Sequence, residues 1–415
     1  MHVSFAAAAL LALTAPAHDT APHVAPPAVA RCDWSSTWFW DSAWRFTPQY
    51  RPDFQIDAGG TRHFVSPGGY SSVCHDPVCG LYYLSSADGY RWNDPIFIPA
   101  SESLGGSPAI ACFGARTYIA WSGAGGVSLT WTEDAGRTFA EPSIGAPGAP
   151  LSDRPSMEVD RSGILHLAWG AYDDGDIFYL RTTPGLRPQF FPVRRISVAK
   201  DEVPDRSNVS LGVDDEGFVS VAWISVVRDS YPIVTRLRYE RFHRDDVFGP
   251  ASTPVTAQVV RGSVLETDRP HQVQVAVAPE GPIAVVYMKS CEWYGEPRLF
   301  TMVSSDGASF EGPFEQAPPL IHRASMLSGR RCIRAGRDGR VYGIWFQRWK
   351  AKGRGSVLPT YVESWDGGRT FPRREIMDED VFNPPNIGND VILALSPDEA
   401  RCYADEMFDY GQCDG

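Results

Sequence analysis

Alternating apolar and polar residues recur along most of the chain in pairs of short segments, and each pair is joined by a polar turn containing Gly. The second segment of each pair ends in an aromatic residue. The copies are IACFGARTYIAW (110–121), MEVDRSGILHLAW (157–169), LGVDDEGFVSVAW (211–223), VAVAPEGPIAVVY (275–287) and IRAGRDGRVYGIWF (333–346). A period of two residues predicts strands with one buried face, and Asp or Glu beside Gly favours a hairpin turn. The pattern therefore predicts repeated β-hairpins and almost no helix.

A second repeated element follows several of these hairpins. Two full copies read [S/T]-x-D-x-G-x-T-F and two shortened copies keep the Asp, the Gly and the aromatic; they are TEDAGRTF (132–139), SWDGGRTF (364–371), SADGYRW (86–92) and SSDGASF (304–310). In such a turn the carboxylate accepts local backbone N–H groups and the Gly takes a positive φ. The motif resembles the Asp-box, or BNR, repeat of sialidases and related β-propellers. We therefore expect Asp134 and Asp366 to be structural.

The resemblance covers roughly residues 60–400 and implies an all-β, six-bladed, sialidase-like β-propeller. The hairpin aromatics are spaced by 48, 54, 64 and 58 residues, which is the length of a four-stranded blade with its loops; they are Trp121, Trp169, Trp223, Tyr287 and Trp345. We expect a single propeller domain over 31–415, with about six blades. Either the C-terminal segment 391–404 or the N-terminal segment 44–50 should close the ring.

Composition narrows the range of partners. The chain of 415 residues carries 38 Lys and Arg against 50 Asp and Glu, a formal net charge of −12. Nucleic acid is therefore not an expected partner, because phosphate binding needs clustered excess base. P-loop and G-x-G-x-x-G patterns are also absent from the sequence, so no nucleotide cofactor is expected. We expect a monomer whose partner is an acidic glycan or glycoconjugate.

The N-terminal segment 1–30 has the pattern of an export signal followed by a Pro/Ala linker. Its apolar run, Val3 to Leu13, is too short to span a bilayer, and Ala15-Pro16-Ala17 resembles a cleavage site. A buried N-terminal helix is the alternative. No other stretch of the sequence is long and apolar enough for a transmembrane segment. The pattern favours a secreted or periplasmic protein.

The chain contains eight cysteines, an even number that suits disulfides in an exported protein. Cys74–Cys79 and Cys402–Cys413 are plausible short loops, and the other four cannot be paired from the sequence. A zinc site is not expected, because no C-x-x-C pattern occurs. We therefore expect no bound metal.

In propellers of this class the resemblance implies that ligands bind at one end of the central axis, where the loops entering each first strand lie. Four arginines recur at that position: Arg154, Arg206, Arg269 and Arg330. The planar guanidinium suits a carboxylate or sulfate, so these arginines are candidate anion ligands. The alternative is that each Arg joins one blade to the next.

The loops between second and third strands should lie on the same face. They are rich in aromatic and charged residues, whereas a turn alone needs only small polar residues. Trp293, Tyr294 and Trp349 are the candidate sugar-binding aromatics among them. The alternative is that they decorate the surface.

The resemblance to sialidases implies a Tyr nucleophile, a Glu that polarises it and an Asp acid/base. Glu266 and Tyr361 fall in the corresponding order late in the chain, and Asp76 or Asp88 takes the early acidic position. The Arg-Ile-Pro signature of sialidases is missing near the start.

Three functions remain open from the sequence. The first is a sialidase-like exo-glycosidase acting on acidic sugars, with Glu266, Tyr361 and Asp76 as catalytic residues. The second is a non-catalytic propeller that binds glycan or protein. The third is a uronate polysaccharide lyase, which needs a His or Tyr base beside a cation. His271, beside Arg269, and Tyr172 are the candidate bases.

Overall fold

The computed structural model describes most of the repeated region and parts of the chain ends. The described residues are 33–37, 53–68, 80–87, 91–99, 108–123, 126–134, 136–147, 155–170, 177–184, 189–196, 202–227, 230, 234–246, 260–266, 270–289, 298–316, 333–351, 354–376, 390–395 and 402–407. Within these ranges the chain forms strands and turns, with no helix, so the all-β prediction is confirmed.

The strands follow the chain in groups of four. The first strand, β1 (Asp33–Thr37), precedes these groups. Sheet 1 consists of β2 (Asp53–Ile56), β3 (Arg62–Gly68), β4 (Gly80–Ser86) and β5 (Ile96–Pro99). Sheet 2 consists of β6 (Ala109–Phe113), β7 (Arg116–Gly123), β8 (Gly126–Thr132) and β9 (Ser143–Pro147), and sheet 3 of β10 (Ser156–Val159), β11 (Leu165–Gly170), β12 (Ile177–Arg181) and β13 (Arg194–Ile196).

Sheets 4 to 6 continue the same order. Sheet 4 consists of β14 (Glu202–Val213), β15 (Phe218–Val227), β16 (Thr235–His243) and β17 (Val260–Glu266). Sheet 5 consists of β18 (Pro270–Val277), β19 (Ile283–Lys289), β20 (Arg298–Ser304) and β21 (Glu311–Glu315). Sheet 6 consists of β22 (Ile333–Ala335), β23 (Val341–Ala351), β24 (Arg354–Ser364) and β25 (Arg373–Ile376). All six sheets are antiparallel meanders.

A seventh sheet of three strands joins the two ends of the chain. β26 (Asp390–Leu395) pairs antiparallel with β27 (Cys402–Met407), and β1 pairs parallel with β27. The first strands lie side by side in the order β2, β6, β10, β14, β18, β22, β26 and back to β2, which closes a ring. The described part of the ring thus holds six four-stranded sheets and one three-stranded sheet, where the sequence predicted about six blades.

Closure of this ring uses one of the two segments that the sequence predicted and adds a strand that it did not predict. β26 and the start of β27 fall within 391–404, apart from Asp390. The segment 44–50 lies outside the described residues. β1 supplies the N-terminal strand instead, so both chain ends contribute to one sheet.

The aromatic residues that end the hairpins fill the gaps between neighbouring sheets. All five are at most 3% exposed, and each packs in a cluster that spans its own sheet and the preceding one; they are Trp121, Trp169, Trp223, Tyr287 and Trp345. Truncating such a side chain to Ala typically costs about 3–5 kcal/mol. The repeated aromatic is therefore a recurring part of the apolar contact between consecutive sheets.

The connectivity gives the ring two different faces. At one face the second strand of each sheet ends and the third strand begins, and we call this the upper face. Gly170, Val227 and Lys289 are the last residues of second strands and lie there. First strands also begin there. The lower face carries the turns between third and fourth strands, including those that hold Asp134 and Asp366.

The lower-face turns of Asp134 and Asp366 have matching hydrogen bonds. Asp134 Oδ1 accepts from the Thr138 backbone N–H (2.9 Å) and from Thr132 Oγ1 (2.7 Å), and Oδ2 accepts from Thr138 Oγ1 (2.7 Å). Asp366 accepts from the equivalent donors of Ser364 and Thr370 at 2.6–2.9 Å. Each carboxylate therefore organises its own turn.

These turns also join adjacent sheets. Gly136 has φ of 88°, and a Cβ atom there would lie 2.0 Å from Cε1 of Tyr83 in the preceding sheet. The ring of Phe139 meets Tyr83 edge-on, with centroids 5.0 Å apart. The turn thus places backbone and an aromatic ring directly against the neighbouring sheet, where no larger residue than Gly fits.

We predict that Asp134→Asn lowers stability at pH 7 by about 1 kcal/mol, because it weakens the charge-assisted bonds of a partly exposed carboxylate. The backbone N–H of Thr138 is the main cause that lowers the pKa of Asp134 from 3.8 to about 2. A lowered folded-state pKa contributes stability that is present above pH 3.8 and lost as the pH falls towards 2. The variant should lose that part of the pH dependence, measured by urea unfolding between pH 2 and pH 7.

The control for this experiment is Glu133→Gln in the same turn, which removes the charge of an exposed carboxylate that pairs with Arg116 but accepts no backbone hydrogen bond of the turn in the described contacts. An unchanged pH dependence in the Asp134→Asn protein would mean that the carboxylate does not hold the turn.

Candidate functional site

The upper rim of sheet 4 holds a buried carboxylate surrounded by donors. Glu202 begins β14, Ser225 lies near the end of β15, and Arg236 and Arg238 lie near the start of β16, so antiparallel pairing brings all four to the upper face. We call these residues the Glu202 cluster.

The donors satisfy both oxygens of the Glu202 carboxylate, which is 1% exposed. Oε2 accepts from Ser225 Oγ (2.6 Å) and Arg238 Nε (2.9 Å), and Oε1 accepts from Arg236 and from Arg238 Nη2. Burial would raise the pKa of Glu202, but the hydrogen bonds from Arg238, Ser225 and Arg236 outweigh it and hold the pKa below its ordinary value. Two guanidinium groups against one carboxylate leave the cluster with a net positive charge.

A second cluster lies in the gap between sheets 4 and 5. Glu266 ends β17, and its Oε2 accepts from the Tyr287 hydroxyl (3.1 Å) and lies 2.6 Å from Lys289 Nζ. Lys289 Nζ also lies 4.8 Å from the centre of the Phe300 ring. Tyr287 is fully buried, whereas the side chains of Glu266 and Lys289 are 13% and 14% exposed. We call Glu266, Tyr287 and Lys289 the Glu266 cluster.

The two clusters lie on opposite sides of one sheet at the same height. Leu237 pairs with Glu266 across β16 and β17, and Arg236 and Arg238 flank Leu237. Successive side chains of a strand point to opposite faces. Glu266 therefore faces sheet 5, while the two arginines face sheet 3, and the side chain of Arg236 is 30% exposed.

Tyr287 occupies a position that is Trp in sheets 2, 3, 4 and 6. The indole N–H groups of Trp169, Trp223 and Trp345 have no acceptor among the described residues, whereas the phenol of Tyr287 reaches Glu266. The replacement of Trp by Tyr in one repeat was a signal in the sequence that could have pointed to Tyr287. The sequence analysis did not predict a functional role for Tyr287, because the repeat indicated only that this position is packed in the core.

The two described catalytic candidates do not come together. Tyr361 lies in β24, is 1% exposed and pairs with Ile344. It takes the same repeat position as Tyr83, Tyr179 and Tyr239, which are all buried. Tyr361 belongs to sheet 6 and Glu266 to sheet 4, with sheet 5 between them in the ring. The expected pairing of Glu266 with Tyr361 is therefore corrected: Glu266 contacts Tyr287.

The other predicted site residues cannot be placed in the same way. Six lie outside the described residues: Asp76, Arg154, Arg269, Trp293, Tyr294 and Arg330. Arg206 lies in the irregular stretch of β14 between Pro204 and Val209, and Trp349 lies in β23 opposite Ser356. Only the backbone is described at those two positions.

The predicted disulfide pairs also lie outside the described residues, except for the strand that contains Cys402. Cys112 is the one cysteine whose side chain is described, and its Sγ lies 3.5 Å from Thr117 Oγ1. Within the described ranges no three His, Cys, Asp or Glu side chains converge on a metal position. The same ranges contain no helix that is long and apolar enough to cross a membrane.

Two Asp–His–Tyr groups lie near the lower face and combine residue types that are common in catalysis. His166 lies 3.1 Å from Asp160 Oδ2 and 2.6 Å from the Tyr179 hydroxyl, and His63 has the same contacts with Asp57 and Tyr83. Both histidines are fully buried. Burial lowers the pKa of His166, although its contact with Asp160 opposes the shift. Repetition and complete burial indicate that these groups stabilise the sheets.

Comparison with known proteins identifies the fold through solved structures. No family model matches the sequence, and no curated protein matches it. A family PL25 ulvan lyase bound to -[GlcA(1-4)Rha3S]- aligns with a TM-score of 0.59, at 11% identity over 84% of this chain and 86% of the other. The polysaccharide lyase Uly1 aligns with a TM-score of 0.50, at 10% identity over 81% and 82%. At these identities the likeness establishes a shared propeller fold.

We predict that Glu202→Gln destabilises the protein by about 3 kcal/mol, because it leaves Arg236 and Arg238 in the rim without their carboxylate. The free energy of unfolding in urea measures the effect. Glu315→Gln is the matched control, since its pair with Arg298 is exposed and should cost less than about 1 kcal/mol. Equal losses in the two variants would show that the Glu202 cluster is not a buried ion network.

Proposed function

We propose that the protein is a secreted carbohydrate-active enzyme that cleaves an acidic polysaccharide at its upper face by β-elimination beside a uronate. The observation that carries the proposal is the Glu266 cluster, in which a phenol, a carboxylate and an ammonium group meet at the upper face between sheets 4 and 5. The fold shared with two polysaccharide lyases supports the same reaction class. The export pattern of segment 1–30 fits an extracellular polymer.

Elimination needs a cation that neutralises the uronate carboxylate, since this acidifies the proton on C5. Lys289 of the Glu266 cluster belongs to the same sheet as His271, and we assign its ammonium group as the partner of the uronate carboxylate. A base then takes the C5 proton, the electron pair forms the C4–C5 double bond, and the bond from C4 to the glycosidic oxygen breaks. The leaving oxygen takes up a proton from an acid or from water.

We assign the base to His271. It is the second residue of β18 and lies opposite Met288, whose chain neighbours are Tyr287 and Lys289. This register puts the His271 backbone at the upper end of sheet 5, the sheet that also holds Tyr287 and Lys289. Imidazole has a pKa close to neutrality, as a general base requires. Tyr287 is a positioning residue in this account, because it is fully buried and holds Glu266.

The second candidate function is hydrolysis of the sialidase type. One observation favours it: the Tyr287 hydroxyl donates to Glu266, which is the pairing that a Tyr nucleophile requires. The complete burial of Tyr287 opposes it, since a nucleophile has to reach the sugar.

The test is incubation of the purified protein with ulvan, polygalacturonate, chondroitin sulfate and sialyllactose. Elimination creates an unsaturated uronate, which absorbs ultraviolet light and is one water lighter by mass spectrometry than the hydrolysis product. We expect the unsaturated product from at least one uronate polymer. Products that have gained water would favour hydrolysis, and binding without any product would favour a non-catalytic propeller.

Variants then test the assigned residues. His271→Ala should lower kcat/KM at least 100-fold, the usual scale of general base catalysis, with an unchanged melting temperature. Glu315→Gln is the control with intact activity. Full activity of His271→Ala would remove the assignment of the base.

A further inference from the structure

A cavity of about 350 Å³ opens at the lower end of the ring axis, and we call it the lower axial cavity. The penultimate residues of the six first strands from β2 to β22 line it; they are Gln55, Cys112, Glu158, Gly212, Ala276 and Arg334. First strands end at the lower face, and contributions from all six four-stranded sheets place the cavity on the axis. Its volume falls within the range of small-molecule sites, about 300–1,000 Å³. The proposed function uses only the upper face and leaves this cavity without a role.

A charged pair crosses the lower axial cavity from one side of the ring to the other. Arg334 Nη1 of sheet 6 donates to Glu158 Oε1 of sheet 3. Sheets 4 and 5 lie between these two sheets on one path round the ring, and sheets 1, 2 and 7 lie between them on the other. The side chains of Glu158 and Arg334 are 20% and 18% exposed, so the cavity reaches both groups. The pair therefore offers a ligand a fixed acceptor beside a fixed donor.

The rim of the lower axial cavity combines a second ion pair with an accessible aromatic ring. Arg161 in the first turn of sheet 3 pairs with Asp215 in the first turn of sheet 4. The backbone N–H of Asp215 donates to the Pro279 carbonyl of sheet 5 (3.1 Å), which ties three neighbouring sheets together at the rim. Phe113 of sheet 2 belongs to the same lining and is 40% exposed. The polar groups at the mouth are thus held in position before a ligand arrives.

The charges of the lining are close to balance, which favours an uncharged ligand. Each carboxylate in it has an arginine partner: Glu158 with Arg334, Asp215 with Arg161, Asp160 with Arg244 and Asp214 with Arg241. Arg337 adds one further cation at the exposed rim. A sugar hydroxyl both donates and accepts, as such pairs require, and the Phe113 ring can cover the apolar face of a sugar.

We propose that the lower axial cavity binds a neutral mono- or disaccharide, at the opposite end of the axis from the acidic polymer. The inference goes beyond the proposed function and does not depend on it, because no residue is shared between the two sites.

The experiment is isothermal titration calorimetry of the full chain with xylose, galactose, rhamnose and cellobiose, and we expect at least one of them to bind. Glu158→Gln together with Arg334→Gln removes both charges of the pair and leaves neither alone. This double variant should weaken binding at least about tenfold, the usual scale for lost hydrogen bonds to charged groups. Phe113→Ala should also weaken it. The matched control is Trp365→Ala, which removes a lower-face aromatic that is 56% exposed and does not line the cavity. The melting temperature of each variant verifies folding.

The outcomes separate this inference from the proposed function. Sugar affinity should be the same in the His271→Ala protein and in the presence of chondroitin sulfate tetrasaccharide, since both act at the upper face. Displacement of the sugar by the tetrasaccharide would place it at the upper face and overturn the inference. Failure of all four sugars to bind, or an equal loss in the Trp365→Ala control, would overturn it as well. A lower melting temperature with unchanged affinity in the double variant would limit the Glu158–Arg334 pair to stabilising the ring, against the proposal.

Discussion

The structure depends on one constraint: every sheet has two apolar faces, and only a neighbouring sheet can cover each of them. A linear row of sheets would leave the outer faces of the first and last sheets in water. The ring removes both ends, because β26 packs between β2 and β22. β1 joins the same sheet through β27, so the N- and C-terminal segments close the ring together. Loss of β26 would therefore leave β2 and β22 without the strand that lies between them.

The same constraint separates stabilising contacts from the candidate site. Between the sheets and at the lower face, repeated residues perform repeated tasks: the aromatics fill the gaps, and the aspartates of the turns bond to their own backbone. At the upper rim the repeat is broken. The Glu202 and Glu266 clusters each occur in one sheet only among the described residues, and they place charge where an apolar residue would pack.

Buried ion pairs are an inefficient way to gain stability, since the cost of removing charge from water offsets most of the attraction. The Glu202 cluster nevertheless commits two arginines to one carboxylate that is almost fully buried. An anion arriving at the rim would meet guanidinium groups already held in position. This preorganisation is the physical reason for connecting the upper face with an acidic glycan.

The sequence could predict the structural features that recur in each repeat. The alternation identified the hairpins, and the aromatic spacing identified the buried residues from Trp121 to Trp345. The sequence could not predict contacts between distant segments, such as the pairing of Leu237 with Glu266 and the contact of Glu266 with Tyr287, because these depend on the register of the strands and on the packing of one sheet against the next. Tyr361 illustrates the same limit: chain order suggested a nucleophile, whereas its register made it one of four equivalent buried tyrosines. The strand β1 carried no repeat and was missed for that reason.

The most direct test of the central claim is hydrogen exchange of the His271→Ala protein with and without long-chain chondroitin sulfate. We expect slower exchange in peptides from the upper ends of sheets 4, 5 and 6, at 202–204, 225–227, 285–289 and 346–351. Exchange in the lower-face turns at 132–139 and 364–371 should stay unchanged. Protection confined to those lower-face turns would contradict the assignment of the upper face as the glycan-binding surface.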